Sequence, residues 1–64
     1  MQPYQQRVVD EASELRKKLE ALNVFISSNE TYQKLTEEER ERLARQSRVM
    51  GDYLAVLQER ISAF

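Results

Sequence analysis

Two stretches of this chain repeat apolar residues at alternating steps of three and four, and this spacing restricts the fold more than any other feature. The apolar positions of the first stretch are Val8, Ala12, Leu15, Leu19, Leu22 and Ile26. Those of the second are Leu43, Met50, Leu54, Leu57, Ile61 and Phe64, with Ser47 in one position of the series. Steps of three and four place side chains on one face of an α-helix. The sequence therefore predicts two long amphipathic helices.

Local signals indicate where these helices begin and end. Pro3 suits the first position of a helix, where its missing N–H costs nothing, and the polar run Ser27-Ser28-Asn29 competes with helix continuation. Thr36 is typical of a capping box, in which its hydroxyl accepts from the Glu39 N–H and the Glu39 carboxylate bonds back. We expect a helix over about residues 3–27, a connection over 28–36 with a short helical turn, and a helix over about 37–63.

The two apolar faces match when the chain folds back at this connection. The fold-back pairs Val8 with Ile61, Ala12 with Leu57, Leu15 with Leu54, Leu19 with Met50, Leu22 with Ser47 and Ile26 with Leu43. Agreement between two independent patterns favours a single all-α domain over residues 1–64, an antiparallel two-helix hairpin. We expect Tyr32 and Leu35, in the turn of the connection, to point inward and close one end of the hairpin.

A hairpin of this size needs stabilisation from outside its own core. Chains below about 70–80 residues rarely obtain enough stability from one core, and this chain of 64 residues has no cysteine for disulfides and no cysteine or histidine for structural zinc. Because apolar side chains remain outside the paired faces, we expect association into a helical-bundle homo-oligomer. The alternative is that these side chains are merely half-exposed. The expected interface residues are Val24, Phe25, Val49, Val56 and Ala63.

Gly51 lies inside the predicted second helix, where glycine is about 1 kcal/mol less favourable than alanine. Two interpretations are open. Gly51 is either a neutral surface position or a point where another backbone approaches closely.

Composition and charge exclude several classes of function. Ten Lys and Arg residues balance eleven Asp and Glu residues, so no net positive field favours DNA or RNA. No apolar run approaches the ~20 residues of a membrane span, and no signal segment opens the sequence. The absence of His and Cys removes the commonest general base, thiol nucleophile and metal ligands, and a single Gly cannot build a phosphate loop. We expect a non-enzymatic, intracellular protein without cofactor or metal.

A cluster of arginines in the second helix is one candidate for binding. Its members are Arg40, Arg42, Arg45 and Arg48. Arginine is suited to clamping phosphate or carboxylate groups. The alternative is a solvated face of ordinary i,i+4 ion pairs, which would join Glu38 to Arg42, Glu41 to Arg45 and Arg48 to Asp52.

A polar line beside the apolar face of the second helix is the other candidate. Gln46, Tyr53 and Arg60 repeat at steps of seven, and the hairpin brings Tyr4 and Arg7 to the same end as Arg60. Aromatic rings with arginines at a subunit interface can stack a base and pair with a phosphate. They can equally anchor a protein partner or cover the edge of an oligomer core.

The spacing of particular residues resembles a known group of proteins. The first helix carries Arg7-Val8-x-x-Glu11-x-x-Glu14-Leu15-x-x-Lys18-Leu19-x-x-Leu22-x-x-Phe25-Ile26, and the second carries Leu43-x-x-Gln46-x-x-x-Met50-x-x-Tyr53-x-x-x-Leu57-x-x-Arg60-Ile61. These runs resemble a family of very short helical proteins of tailed bacteriophages and prophages, some of them described as crAssphage-related. The resemblance implies a phage accessory protein in the cytoplasm of the bacterial host. One group of small phage proteins, similar in size, helicity and expected association, traps cyclic nucleotide signals of bacterial immunity between subunits.

Three hypotheses of function remain open at this point. In the first, a homo-oligomeric counter-defence protein sequesters a nucleotide-derived host immune signal between subunits, at sites lined by Tyr4, Arg7, Gln46, Tyr53 and Arg60. In the second, the protein is an inhibitor or adaptor that docks on a host enzyme or regulator through a helical face. In the third, it is a structural bundle that interacts only with itself.

Overall fold

Three α-helices and no strand make up the computed structural model, which describes residues 1–64. Helix α1 spans Pro3–Ser28, the short α2 spans Glu30–Lys34, and α3 spans Glu37–Ser62. Helices α1 and α3 pack along each other in a rod with extents of 46 × 15 × 13 Å. The predicted all-helical class, with two long helices in contact, is confirmed. None of the helices combines the length and the apolar character that a bilayer span requires.

The break between α1 and α2 is made by side chains that bond to the backbone. Ser28 Oγ donates to the carbonyl oxygen of Val24 at 3.0 Å. Asn29 then takes an extended conformation, and its Oδ1 accepts from the Thr31 N–H at 2.8 Å. Asn29 therefore ends α1 and caps α2 at once, as expected for a polar run that competes with the helical pattern.

The start of α3 departs from the predicted capping box. Thr36 Oγ1 accepts from the Glu39 N–H at 3.1 Å, as expected. The Glu39 carboxylate does not bond back, because its Oε1 accepts from Arg42 Nε at 2.8 Å. A guanidinium is a stronger partner for a carboxylate than a neutral backbone N–H, so only half of the box forms.

The core lies in the half of the hairpin nearer the chain ends. Its buried members are Val8, Ala12, Leu15 and Leu57, and Met50, Leu54 and Ile61 pack against them. Toward α2, the remaining apolar residues of the paired faces are only half-buried; these are Leu19, Leu22, Ile26 and Leu43. Two helices enclose a single line of side chains between them, so much of their apolar surface stays partly open to water.

One polar contact interrupts the apolar line between α1 and α3. The sequence pairs Ser47 with Leu22, but Ser47 Oγ donates to Oδ1 of Asn23, the next residue of α1. A hydroxyl that is partly removed from water gains nothing from a leucine side chain and is stabilised by a polar partner. The chain meets this requirement with an asparagine at the edge of the contact.

Helix α2 closes one end of the hairpin through an aromatic contact. The Tyr32 ring meets the Phe25 ring edge to face, with centroids 6.0 Å apart and planes at 79°. The Tyr32 hydroxyl donates to the Arg40 carbonyl oxygen at 3.4 Å. Tyr32 and Leu35 are both half-buried. Phe25, which the sequence analysis assigned to an oligomer interface, thus makes an aromatic contact within the chain.

Candidate functional site

The open end of the hairpin, opposite α2, carries an exposed aromatic pair. Tyr4, in the first turn of α1, and Phe64, just beyond α3, meet edge to face with centroids 6.0 Å apart and planes at 78°. Tyr4 is 51% exposed and Phe64 is 41% exposed. An aromatic ring with open surface can stack on a base or another planar group.

Two arginines lie one helical turn inside this aromatic pair. Arg7 follows Tyr4 by three residues in α1, and Arg60 precedes Phe64 by four residues in α3. The antiparallel packing therefore brings both arginines to similar positions along the rod. Both are exposed, and neither takes part in an ion pair. Unpaired guanidinium groups can bind phosphate in bidentate geometry. Three of the five predicted ligand residues, Tyr4, Arg7 and Arg60, therefore lie at the open end with chemistry suited to a phosphate and a base.

The other two predicted ligand residues lie farther along α3. Tyr53 and Gln46 precede Arg60 by 7 and 14 residues, which corresponds to roughly 10 and roughly 21 Å along a helix axis. Tyr53 is 45% exposed. Gln46 is exposed, and its Nε2 donates to Met50 Sδ at 3.7 Å. The single chain therefore presents the five residues as a strip and not as a closed pocket.

The predicted ligand residues and interface residues alternate along one face of α3, which we call the exposed seam. Its members are Gln46, Val49, Tyr53, Val56, Arg60 and Ala63, at steps of three, four, three, four and three. The buried seam of α3 has the same spacing one residue later and consists of Ser47, Met50, Leu54, Leu57 and Ile61, preceded by Leu43 and followed by the exposed Phe64. One residue rotates a helix by about 100°. Val49 and Val56 are 58% and 53% exposed, so nothing within the chain covers this second face.

Val24 lies away from the exposed seam, although the sequence analysis grouped it with the same interface. It stands two residues after Leu22 and two before Ile26, both of which face α3. Two residues correspond to about half a turn of helix. Val24 is therefore on the side of α1 that points away from α3, where it is exposed.

The arginine cluster does not form the ion pairs that its spacing suggested. Arg42 pairs with Glu39, three residues earlier, and Arg40, Arg45 and Arg48 take part in no ion pair. Residues three and four apart are both neighbours on a helix surface. Exposed pairs of this kind differ little in free energy, so spacing alone does not select between them.

A shallow depression at the closed end of the hairpin is a feature that the sequence analysis missed. It has a volume of about 280 Å³ and is lined by Tyr32, Glu37, Arg40, Glu41 and Ala44. Arg40 Nε is buried there without a hydrogen-bond partner. Spacing along α3 could have grouped four of these residues, but no signal shows that Tyr32 of α2 folds beside them. No group of three or more Asp, Glu, His or Cys side chains in the chain could hold a metal ion.

Comparison with known proteins identifies the family of the chain. The model of the Sequestin family matches residues 2–63, which include the whole of α1, α2 and α3. The chain belongs to this family. No curated protein and no solved structure matches it. The matched range includes all five predicted ligand residues and the complete exposed seam.

Proposed function

We propose that this protein sequesters a nucleotide-derived signal of host immunity. It is a non-enzymatic, homo-oligomeric counter-defence protein of a bacteriophage, acts in the cytoplasm of the bacterial host, and holds a cyclic nucleotide or related small molecule between subunits. The observation that carries this proposal is the group at the open end, where the exposed Tyr4–Phe64 pair adjoins the unpaired Arg7 and Arg60. The name of the Sequestin family supports the binding and holding of a molecule.

The strength of the available contacts explains why the proposal places the ligand between subunits. A hydrogen bond to a charged group contributes about 1.5–3 kcal/mol, and a stacked base contributes about 1–3 kcal/mol. Two arginines and one stacked ring therefore supply roughly 4–9 kcal/mol before ordering costs, whereas micromolar affinity requires about 8 kcal/mol. Tight sequestration by one open end is marginal, and contacts from a second subunit make up the difference.

Sequestration also requires that the ligand be held without being converted. Phenyl, phenol and guanidinium groups can stack, donate hydrogen bonds and attract phosphate, but they are poor nucleophiles and bases at neutral pH. The group at the open end is thus suited to binding and offers no residue type that commonly starts a hydrolytic step. This chemistry supports a binding protein over an enzyme.

Binding and recovery of an unchanged ligand test the proposal. Isothermal titration of the protein with cyclic dinucleotides and cyclic ADP-ribose isomers should reveal a ligand, and mass spectrometry after heat release should recover it intact. Arg60→Ala should weaken binding at least about tenfold, or about 1.4 kcal/mol, because it removes a phosphate contact. Arg16→Ala is the matched control, since Arg16 is exposed, takes part in no ion pair, and lies on α1 away from the open end and from the arginine cluster. No binding across the panel, or recovery of a converted ligand, would contradict the proposal.

A second candidate function is a protein-binding inhibitor or adaptor acting on a host enzyme or regulator. The exposure of Val49 and Val56 favours it, because apolar side chains at helical spacing anchor helices in partner grooves. Recovery of one stoichiometric host protein from lysate, lost with Val49→Asn and retained with Val24→Asn, would support this candidate. Recovery of the bait alone would contradict it.

A further inference from the structure

The exposed seam of α3 is self-complementary. Its steps of three, four, three, four and three are the same in both directions, so two copies related by a two-fold axis can match every position of the seam. In this arrangement Gln46 meets Ala63 of the second copy, Val49 meets Arg60, and Tyr53 meets Val56. We infer that a second copy of this chain packs antiparallel on the exposed seam and completes the ligand site; the inference rests on the proposed function.

The charge on the seam selects the antiparallel direction. Parallel packing would place Arg60 directly against Arg60 of the second copy, and like charges in an interface are strongly unfavourable. One of the two antiparallel registers displaced by a heptad would set Arg42 against Arg60, which is also a contact between like charges, although the ion pair of Arg42 with Glu39 offsets part of the repulsion. In the inferred register Arg60 lies against Val49, where its aliphatic stem can pack while the guanidinium reaches the edge.

Two carboxylates beside the exposed seam oppose the inferred packing weakly. The inferred register brings Asp52 near Glu59 of the second copy. Both carboxylates are exposed on the protomer, so solvent and salt screen their repulsion. This repulsion is weaker than that of two arginines placed against each other on the seam itself.

A second copy is the occupant that best fits this face. Only four side chains of the protomer are buried. The free energy from covering more apolar surface is therefore a larger share of the hairpin's stability than it would be for a protein with a large core. At the two-fold axis, Tyr53 and Val56 of both copies form one apolar layer. A net charge of −1 on each copy opposes the association only slightly.

Antiparallel pairing brings Gln46, which one protomer keeps apart from Arg60, to the open end, while Tyr53 joins the apolar layer at the two-fold axis. Gln46 of the second copy lies beside Ala63, within one turn of Arg60 and close to the level of Arg7 and Tyr4. Each dimer then contains two equivalent sites, one at the open end of each hairpin. A site with two free guanidinium groups, an amide and exposed aromatic rings suits a ligand with two phosphate charges and a planar base. The expected stoichiometry is one ligand per protomer.

Engineered cysteines test the pairing without any ligand. The chain has no cysteine of its own. Gln46→Cys and Ala63→Cys in one chain are 17 residues apart, or about 25 Å, which is too far for an internal disulfide. We expect the double variant to form a disulfide-linked dimer on mild oxidation, and each single variant to remain unlinked on a non-reducing gel.

Other cysteine variants distinguish the inferred register from parallel packing and from a displaced antiparallel register. Crosslinking by Gln46→Cys alone would show parallel packing and overturn the inference. Crosslinking by a Val49→Cys, Tyr53→Cys double variant but not by the first pair would show the displaced register and overturn it too. A monomeric Gln46→Cys, Ala63→Cys variant would also overturn it.

Ligand affinity separates this inference from the proposed function. Val49→Asn removes an apolar seam contact without adding charge beside Arg60, and Val24→Asn is the same change on the far side of α1. Once circular dichroism has shown both variants folded, Val49→Asn should sediment as a monomer and bind at least tenfold more weakly, while Val24→Asn matches wild type. A monomeric Val49→Asn with wild-type affinity would overturn the composite site and leave the proposed function standing. A wild-type protein that binds no nucleotide would overturn the proposed function and the composite site, and the crosslinks would then decide the pairing alone.

Discussion

The two seams of α3 have the same spacing and opposite surroundings. Leu57, in the buried seam, is 1% exposed, whereas its neighbour Val56, in the exposed seam, is 53% exposed. The buried seam is rich in leucine and other large aliphatic residues, and the exposed seam combines valine with glutamine, tyrosine and arginine. The difference separates the residues that hold the hairpin together from those that remain free for a ligand or a second copy.

The polar residues of the two seams also have different surroundings. Ser47 is a polar residue within the buried seam, and its hydroxyl is bonded to Asn23. The exposed seam contains Gln46, Tyr53 and Arg60, whose side chains are open to solvent. A face of this mixed character can be covered by a partner without leaving large buried charges, because long side chains can reach its edge.

The largest expected effect compares neighbouring residues of the two seams. Leu57→Ala should lower the free energy of unfolding by about 2–5 kcal/mol, because it leaves a cavity at the most buried position. A chain of 64 residues has a total of only roughly 3–10 kcal/mol, so the variant should be partly unfolded. Urea titration followed by circular dichroism measures the effect. Val56→Ala is the control, measured at low protein concentration so that association does not contribute. An equal loss of unfolding free energy in Val56→Ala would show that the seams are wrongly assigned.

A smaller effect should appear in the dependence of stability on concentration. If the exposed seam is covered by a second copy, association stabilises the folded state, and the melting temperature rises with protein concentration. For a domain of this size, about 1 kcal/mol corresponds to roughly 4–8 °C. Differential scanning fluorimetry over a hundredfold range should show this rise for wild type and not for Val49→Asn. A wild-type melting temperature that does not change would contradict association through this seam.

The smallest expected effect concerns Gly51, which lies outside both seams. It follows Met50 of the buried seam, so it is on the flank away from the exposed seam. A Cβ added there meets nothing within 4 Å. Gly51→Ala should therefore stabilise α3 by about 0.5–1 kcal/mol, as measured by thermal unfolding. If the protein associates as proposed, a loss of association on this change, seen in sedimentation, would instead indicate a close backbone approach on that flank.

Much of the fold could be predicted because helical signals are local. The spacing of Val8, Leu15 and Leu57 reports which side chains one helix face presents, and Thr36 marks a helix start through a hydrogen bond only three residues long. The Glu39 half of the box failed because Arg42 competes for the same carboxylate. Spacing lists possible partners for a side chain and does not rank them.

The candidate site was predictable only in part. The residue types and steps of seven singled out Tyr53 and Arg60, and spacing alone places them in one series with Val49 and Val56, but only the structure shows that the whole face is exposed. The edge-to-face contact of Tyr4 with Phe64 depends on where the ends of two helices meet. The depression beside Arg40 depends on α2 folding against α3, which no local pattern reports.

The sequence by itself determined two amphipathic helices, the turn between them and the apolar positions of each, because periodicity and capping act over a few neighbouring residues. Only the tertiary structure decided that Asn23 and not Leu22 meets Ser47, that Tyr4 contacts Phe64, and that Tyr32 bonds to the Arg40 carbonyl oxygen. These features depend on the rotation of each helix about its axis and on their relative height. Contacts between side chains distant in the sequence set both quantities, and spacing within one helix leaves them free.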